Sequence, residues 1–214
     1  MRAEEWFAAR SFASGEFGDI AELIRLKQEC RIGVTLVLPT RNVVETIGPI
    51  LDEIAGLHRA GVRLFDQILV VDAQSTDGTQ VAAVRDGVEV WPEASLLPEF
   101  GPVLGKGDAL WRALSKVRGD LVVFADADTR DFTVGPVVGI VGCLLSRPEI
   151  LFAKAAYRRP FVSGEAAVAD GGGRVTELLA KPLLNVFYPE LSGFVQPLAG
   201  EFGADRELFW SLPF

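Results

Sequence analysis

Three observations predict an α/β fold built on a mostly parallel, Rossmann-type sheet flanked by helices. Short apolar runs alternate with helical periodicity from residue 34 to residue 124. The runs Val34–Leu38, Gln67–Val71 and Leu121–Phe124 are apolar nearly throughout, as strands covered on both faces are. Two of them end in acids, Asp72 and Asp126-Ala127-Asp128. In open α/β sheets, ligands bind outside such strand ends.

In chain order, residues 1–31 read as an N-terminal helical arm. Ile20, Leu23 and Ile24 have helical spacing, and the arm packs on the domain or on a second subunit. Val34–Leu38 is a strand that Pro39 is expected to stop, with Thr40-Arg41-Asn42 as the loop beyond it. Ile47, Ile50, Leu51, Ile54 and Leu57 form one face of a helix. Gln67–Asp72 is a strand, and Ser75 or Thr76 is expected to cap the helix that follows. Val88–Val90 is a short strand. The glycine-bearing loop 101–107 opens a helix carrying Ala109, Leu110, Ala113, Leu114 and Val117. Beyond Asp128, a helix is expected over 134–145 and a strand over Phe152–Tyr157. A glycine-rich turn, Asp170–Gly173, should lead into a helix.

The net charge of −8 argues against a general nucleic-acid binder, which needs clustered Lys and Arg. The opening residues carry acids where a signal peptide needs basic ones. The apolar run Val134–Leu145 is interrupted by glycines and a proline and is shorter than the roughly twenty residues that span a bilayer. Cys30 and Cys143 lack metal-ligand spacing and read as reduced thiols. A cytoplasmic protein with no membrane span is expected.

Asp126 and Asp128 are placed to share a divalent cation, Mg²⁺ or Mn²⁺, with substrate phosphates completing its shell. The competing reading of that stretch is a polar turn capping a core strand. At Gly171-Gly172-Gly173-Arg174-Val175-Thr176, glycines admit a close ligand and a helix start offers unpaired N–H groups to an anion. Arg174 adds a planar donor fork. The alternative there is a loop with a solvated arginine. Lys106, flanked by glycines, can reach a diphosphate or can be an ordinary surface lysine. No GxGxxG follows the first strand, which argues against a dinucleotide Rossmann site, and no Walker sequence is present.

Taken in order, the motifs resemble those of the retaining nucleotide-sugar transferases that make glucosyl- or mannosyl-3-phosphoglycerate, with a GT-A-like fold. The marks are Val37-Leu38-Pro39 with Asn42, Asp72 with Ser75-Thr76-Asp77, Gly105-Lys106-Gly107, Asp126-Ala127-Asp128 and Tyr157-Arg158-Arg159-Pro160. Gly171–Leu178 and Gln196-Pro197-Leu198 with Gly200-Glu201 complete the set, so the resemblance covers Val34 to Phe214. It implies a donor half over 32–130 and an acceptor half over 131–214. Pro39, Thr40, Arg41, Asp72 and Ser75 would hold the nucleoside, and Lys106 the diphosphate. Asp128 would bind the metal, with Asp126 supporting it. Gly173, Arg174 and Thr176 would bind 3-phosphoglycerate, and Leu198 and Glu201 would line the reacting centre. The donor is GDP-mannose or UDP-glucose. Val43 stands where glucosyl members carry Glu, which leans the choice to GDP-mannose. Similar enzymes are dimers and continue past Phe214 with a further acid and a histidine. His58, the single histidine here, reads as a surface or packing residue. A rival reading is a truncated nucleotide-sugar-binding remnant without turnover. A nucleotidyltransferase, which would release pyrophosphate, ranks below both.

Overall fold

The computed structural model describes residues 3–59, 61–157, 161–163, 166–168 and 175–212. It divides into two compact units, one of residues 14–154 with 200–214 and the other of residues 1–13 with 155–199. The arm expected over 1–31 is therefore shared between the units. Among the described residues, no helix is long and apolar enough to cross a membrane.

The larger unit holds the sheet. In chain order its elements are α2 (Ile20–Cys30), β1 (Val34–Thr40), α3 (Val44–Ala55), β2 (Gln67–Asp72), α4 (Thr79–Ala83) and β3 (Val88–Pro92). Then come α5 (Lys106–Ala113), β4 (Leu121–Phe124), α6 (Gly135–Ser146), β5 (Phe152–Lys154), β6 (Phe202–Asp205) and α8 (Arg206–Ser211). The spatial order is β3-β2-β1-β4-β6-β5. The first four strands are parallel, and β6 runs antiparallel to both β4 and β5. A two-residue ribbon, His58–Arg59 with Val62–Arg63, lies apart from this sheet. The side chain of His58 lies outside the described residues.

Strand β1 is the hinge of the topology, because the chain winds one way from it to β2 and β3 and the other way to β4. Such a switch point leaves a crevice at the carboxyl ends of the strands. The residue expected to end β1 instead lies inside it. Pro39 pairs in register with Val71 and Thr40 with Asp72. Proline is tolerated because of alternation. Val37 and Pro39 address the β4 side, where the last bond runs from Ala125 N to Val37 O at 3.1 Å. By the level of Pro39 that neighbour has left the ladder, so no partner for an N–H is lost. Thr40 addresses the β2 side and still accepts a bond from Ala73 N at 2.8 Å.

One face of the sheet buries Val37, Leu69, Val71, Val122 and Phe124 against Leu96, Ala113, Leu114, Val117 and Phe209. Each fully buried side chain of this kind contributes about 1.5–3 kcal/mol. α6 is buried along most of its length, from Val137 to Leu145. Phe17, in a single 3₁₀ turn, lies on it where a side chain is missing. A Cβ added at Gly142 would stand 2.3 Å from that of Phe17. Gly142→Ala is expected to destabilise the protein by about 1–3 kcal/mol through overpacking, read as a lower urea midpoint. An unchanged midpoint would show that Phe17 is free to move away.

α2 is tied down at its buried Lys27. Its Nζ donates to Arg63 O at 2.7 Å, Leu64 O at 3.2 Å and Asp66 Oδ1 at 2.7 Å. Asp66 Oδ2 in turn accepts from Val34 N at 2.8 Å, at the start of β1. The arm thus packs on the domain itself over its second half.

The smaller unit contains α1 (Ala3–Arg10), a ribbon of Phe161–Ser163 with Ala166–Val168, a π-type turn at Thr176–Ala180 and α7 (Lys181–Phe187). The strand expected over 152–157 ends at Lys154, and 155–157 are irregular. The helix expected after the glycine run begins, among the described residues, at Val175.

Candidate functional site

The site is built where β1, β2 and β4 end. Asp72, the last residue of β2, is fully buried. It is satisfied by four donors. Oδ1 accepts from Thr40 Oγ1 at 3.0 Å and Ser75 Oγ at 2.6 Å. Oδ2 accepts from Ser75 N at 2.9 Å and Gln80 Nε2 at 2.6 Å. Burial raises the pKa of this carboxyl, but the bonds from Ser75, Gln80 and Thr40 outweigh it and hold the group below the usual carboxylate range. Asp72 therefore fixes two loops through Thr40, which is buried, and Ser75, which is half-buried.

Those loops are stitched side by side. Asn42, held at a left-handed φ of 53°, donates its N–H to Ser75 Oγ at 2.8 Å and accepts Thr76 N on Oδ1 at 2.9 Å. Asp77 receives Val44 N at 3.0 Å and Thr79 N at 3.0 Å. The expected cap of the helix after β2, Ser75 or Thr76, is not used. Gly78 is the N-cap residue and Asp77 serves the first turn, because Ser75 is already engaged with Asp72. Glu93 stands immediately beyond Pro92, the residue paired with Asp72. Burial pushes its carboxyl up, Arg41 pulls it down, and Asp72 and Asp108 push it up again.

The acid turn follows β4. Ala125 and Ala127 are buried, whereas Asp126 is half-buried and Asp128 exposed. Small inward residues thus anchor a segment whose acids face out. Thr46, in the first turn of α3, donates to Ala127 O at 2.6 Å and fixes the turn from the other side. Lys106 Nζ is paired with Asp126 Oδ1. Gly200 backs the same carboxyl. A Cβ there would lie 2.1–2.2 Å from the Asp126 carboxyl atoms, so only glycine leaves this acid its place.

Among the described residues, no group of three or more His, Cys, Asp and Glu converges as a metal cage. Two hard carboxylates backed by a glycine cradle fit a cation that takes its remaining oxygens from phosphate, as Mg²⁺ commonly does. The site can therefore hold a phosphorylated ligand whose charge a cation and Lys106 share.

Pro39, Thr40, Arg41, Asp72, Ser75, Lys106, Asp126, Asp128 and the buried Glu201 all belong to the larger unit. Arg41 is exposed at the end of β1. Thr176, half-buried, and Leu198, half-exposed, belong to the smaller unit. Gly173 and Arg174 lie outside the described residues, as does Arg158-Arg159. Sequence reasoning missed Glu93 and Gln80, and placed Thr46 only within the Glu45-Thr46-Ile47-Gly48 mark of the resemblance. The register of β3 against β2 points to Glu93, but register is not visible in a linear pattern. Gln80 is an ordinary polar helix residue and carries no signal.

The sequence matches glycosyl transferase family 2 over residues 35–132. It is 41% identical over 205 residues to a glucosyl-3-phosphoglycerate synthase of Petrotoga mobilis, covering 96% of this chain and 63% of that protein. The crystal structure of mannosyl-3-phosphoglycerate synthase from Rubrobacter xylanophilus superposes with a TM-score of 0.89 at 55% identity, over 100% of this chain and 66% of that one. Glucosyl-3-phosphoglycerate synthase from Mycobacterium tuberculosis, crystallised with Mn²⁺, UDP-glucose and phosphoglyceric acid, superposes with a TM-score of 0.78 at 41% identity, over 91% and 64%. The chain thus spans a little under two thirds of the length of these relatives. By its sheet, its acid turn and these likenesses, the chain has a GT-A glycosyltransferase fold and is similar in sequence and structure to glucosyl- and mannosyl-3-phosphoglycerate synthases.

Proposed function

We propose that this protein is a metal-dependent retaining hexosyltransferase. It moves mannose from GDP-mannose or glucose from UDP-glucose to the 2-hydroxyl of 3-phosphoglycerate. The observation that carries this reading is the acid turn at the switch point of the sheet, with Lys106 on Asp126 and Asp128 open beside it. The M. tuberculosis relative crystallised with Mn²⁺, UDP-glucose and phosphoglyceric acid supports the choice of ligands.

In this reading the donor half is residues 32–130 and the acceptor half 131–214. Thr40, Arg41 and Ser75, on the frame set by Asp72 and Pro39, receive the nucleoside. Asp126 and Asp128 hold Mg²⁺ or Mn²⁺, which supplies charge neutralisation for the departing diphosphate. Lys106 leaves Asp126 for the diphosphate when the donor arrives, so that a fixed cation meets charge as it develops. Gly173, Arg174 and Thr176 hold the phosphate or carboxylate of the acceptor. Glu201 shapes the wall beside the sugar. The hydroxyl attacks on the face the diphosphate leaves, and the leaving phosphate accepts its proton. The protein works as a homodimer in the cytoplasm, a setting consistent with two free cysteines.

The test is to incubate the protein with each nucleotide sugar, 3-phosphoglycerate and Mg²⁺ or Mn²⁺. Release of GDP or UDP with formation of the hexosyl-3-phosphoglycerate is expected. Binding of donor without release would establish a nucleotide-sugar-binding protein instead. Absence of metal-dependent binding of either donor would overturn both.

A further inference from the structure

We propose that Arg112 and Asp108 are the positioning pair of the donor site, holding the loop 96–105 so that Lys106 stands at the diphosphate. The proposal rests on the donor reading above.

Arg112 is an arginine turned inward, 1% exposed, on an eight-residue helix. Its Nε donates to Asp108 Oδ1 at 2.8 Å, one helical turn earlier. The rest of the guanidinium is spent on main chain. One terminal nitrogen donates to Leu96 O at 3.3 Å, Leu97 O at 3.1 Å and Gly101 O at 2.9 Å. The other reaches Phe100 O and Pro102 O, each at 3.4 Å. Asp108 Oδ2 takes Leu104 N at 2.8 Å, two residues before Lys106. One ion pair therefore gathers five carbonyls and an amide from a nine-residue segment.

The segment would not hold this shape by itself. Leu97 has a φ of 47°, Gly101 of 80° and Gly105 of 136°. A left-handed leucine persists only where its surroundings over-determine it. Five N–H groups in a rigid fork suit several carbonyls at once, as a lysine ammonium does not. The guanidinium also holds the Asp108 carboxyl below the usual range, so the pair stays ionised. Gly105 is the N-cap of α5 and Lys106 its first residue, so the clamp sets where the helix starts and where the lysine side chain originates. No part of Arg112 is available to a ligand at the surface; it acts through Lys106.

The test is a double-mutant cycle on nucleotide affinity, measured by calorimetry with Mn²⁺ present. The quantity is the affinity for GDP or UDP divided by that for guanosine or uridine. Lys106→Ala should lower this ratio about tenfold or more, as loss of a charge-assisted bond does. Arg112→Lys should lower it by a similar factor while leaving nucleoside affinity within about twofold. The double variant should be no worse than Lys106→Ala, because both act on one contact. Asp108→Asn, which is isosteric, provides a second arm should Arg112→Lys not fold, with the same non-additivity expected. Additive losses, or an unchanged ratio in the clamp variants while Lys106→Ala lowers it, would overturn the proposal. An unchanged ratio in Lys106→Ala, or no binding of either diphosphate by the wild type, would instead sink the donor reading and the inference with it.

Discussion

Asp128→Asn is expected to lower the rate of the proposed hexosyl transfer by about a thousandfold, the scale on which electrostatic stabilisation of a transition state is lost. The substitution keeps volume and shape but removes the charge from the exposed acid of the turn. Ala127 remains buried and bonded to Thr46, so the fold around it is retained. Thermal stability should accordingly change little, because Asp128 is a solvated side chain. Two assays together decide the matter: nucleoside diphosphate release, and Mn²⁺-dependent retention of the nucleotide. A variant that still retains the nucleotide in a Mn²⁺-dependent way, and turns over within tenfold of the wild type, would remove Asp128 from the metal site.

The second large effect is on stability. In Asp72→Asn, the amide nitrogen either meets Ser75 N, which cannot accept, or faces the Thr40 and Ser75 hydroxyls, which must turn round to accept it. In both orientations the charge-assisted bonds of the buried carboxylate are lost, at a cost of about 1–3 kcal/mol. The pH dependence follows from the depressed pKa of Asp72. A carboxylate held low in the folded state contributes its stability above the unfolded value of about 3.9. That contribution is lost as pH falls through the folded value. The difference between wild type and variant should therefore be full at pH 7 and shrink as pH drops below about 4. Urea midpoints across that range provide the measurement. Parallel curves down to pH 2 would mean that the charge of Asp72 is not what stabilises the two loops.

The parallel core of the sheet was legible because its strands are locally self-evident. Gln67–Asp72 carries apolar β-branched residues up to its acid, and the observed strand has the same limits. β6 was not legible. Phe202-Gly203-Ala204-Asp205 is short and holds a glycine, and nothing local favours a strand there. Its reason is tertiary. A Cβ at Gly203 would stand 2.7 Å from Ile140 Cγ2 and 3.0 Å from Val122 O, so the smallness of the residue answers to α6 and β4, far away in sequence. The same limit applies in the site. The acids of 126–128 announce themselves by position after a strand. The sequence likewise marks Asp72, but not the four donors that turn it from a contact into a frame. Asp108 and Arg112 stand at a spacing typical of an ordinary surface ion pair, and only the folded loop shows five carbonyls waiting for the arginine.

Pro39 has a consequence for the acids on the neighbouring strand. Any other amino acid at that position would carry an amide hydrogen pointing across the gap at the carbonyl of Ala125, the next rung after Ala125 N to Val37 O. Parallel strands lengthen by exchanges of that sort, and one more rung would draw the aspartates down into the ladder, where their carboxylates would be smothered. An imino acid has nothing to offer across the gap. The notch between β1 and the acid turn is kept unzipped by the covalent structure of one residue.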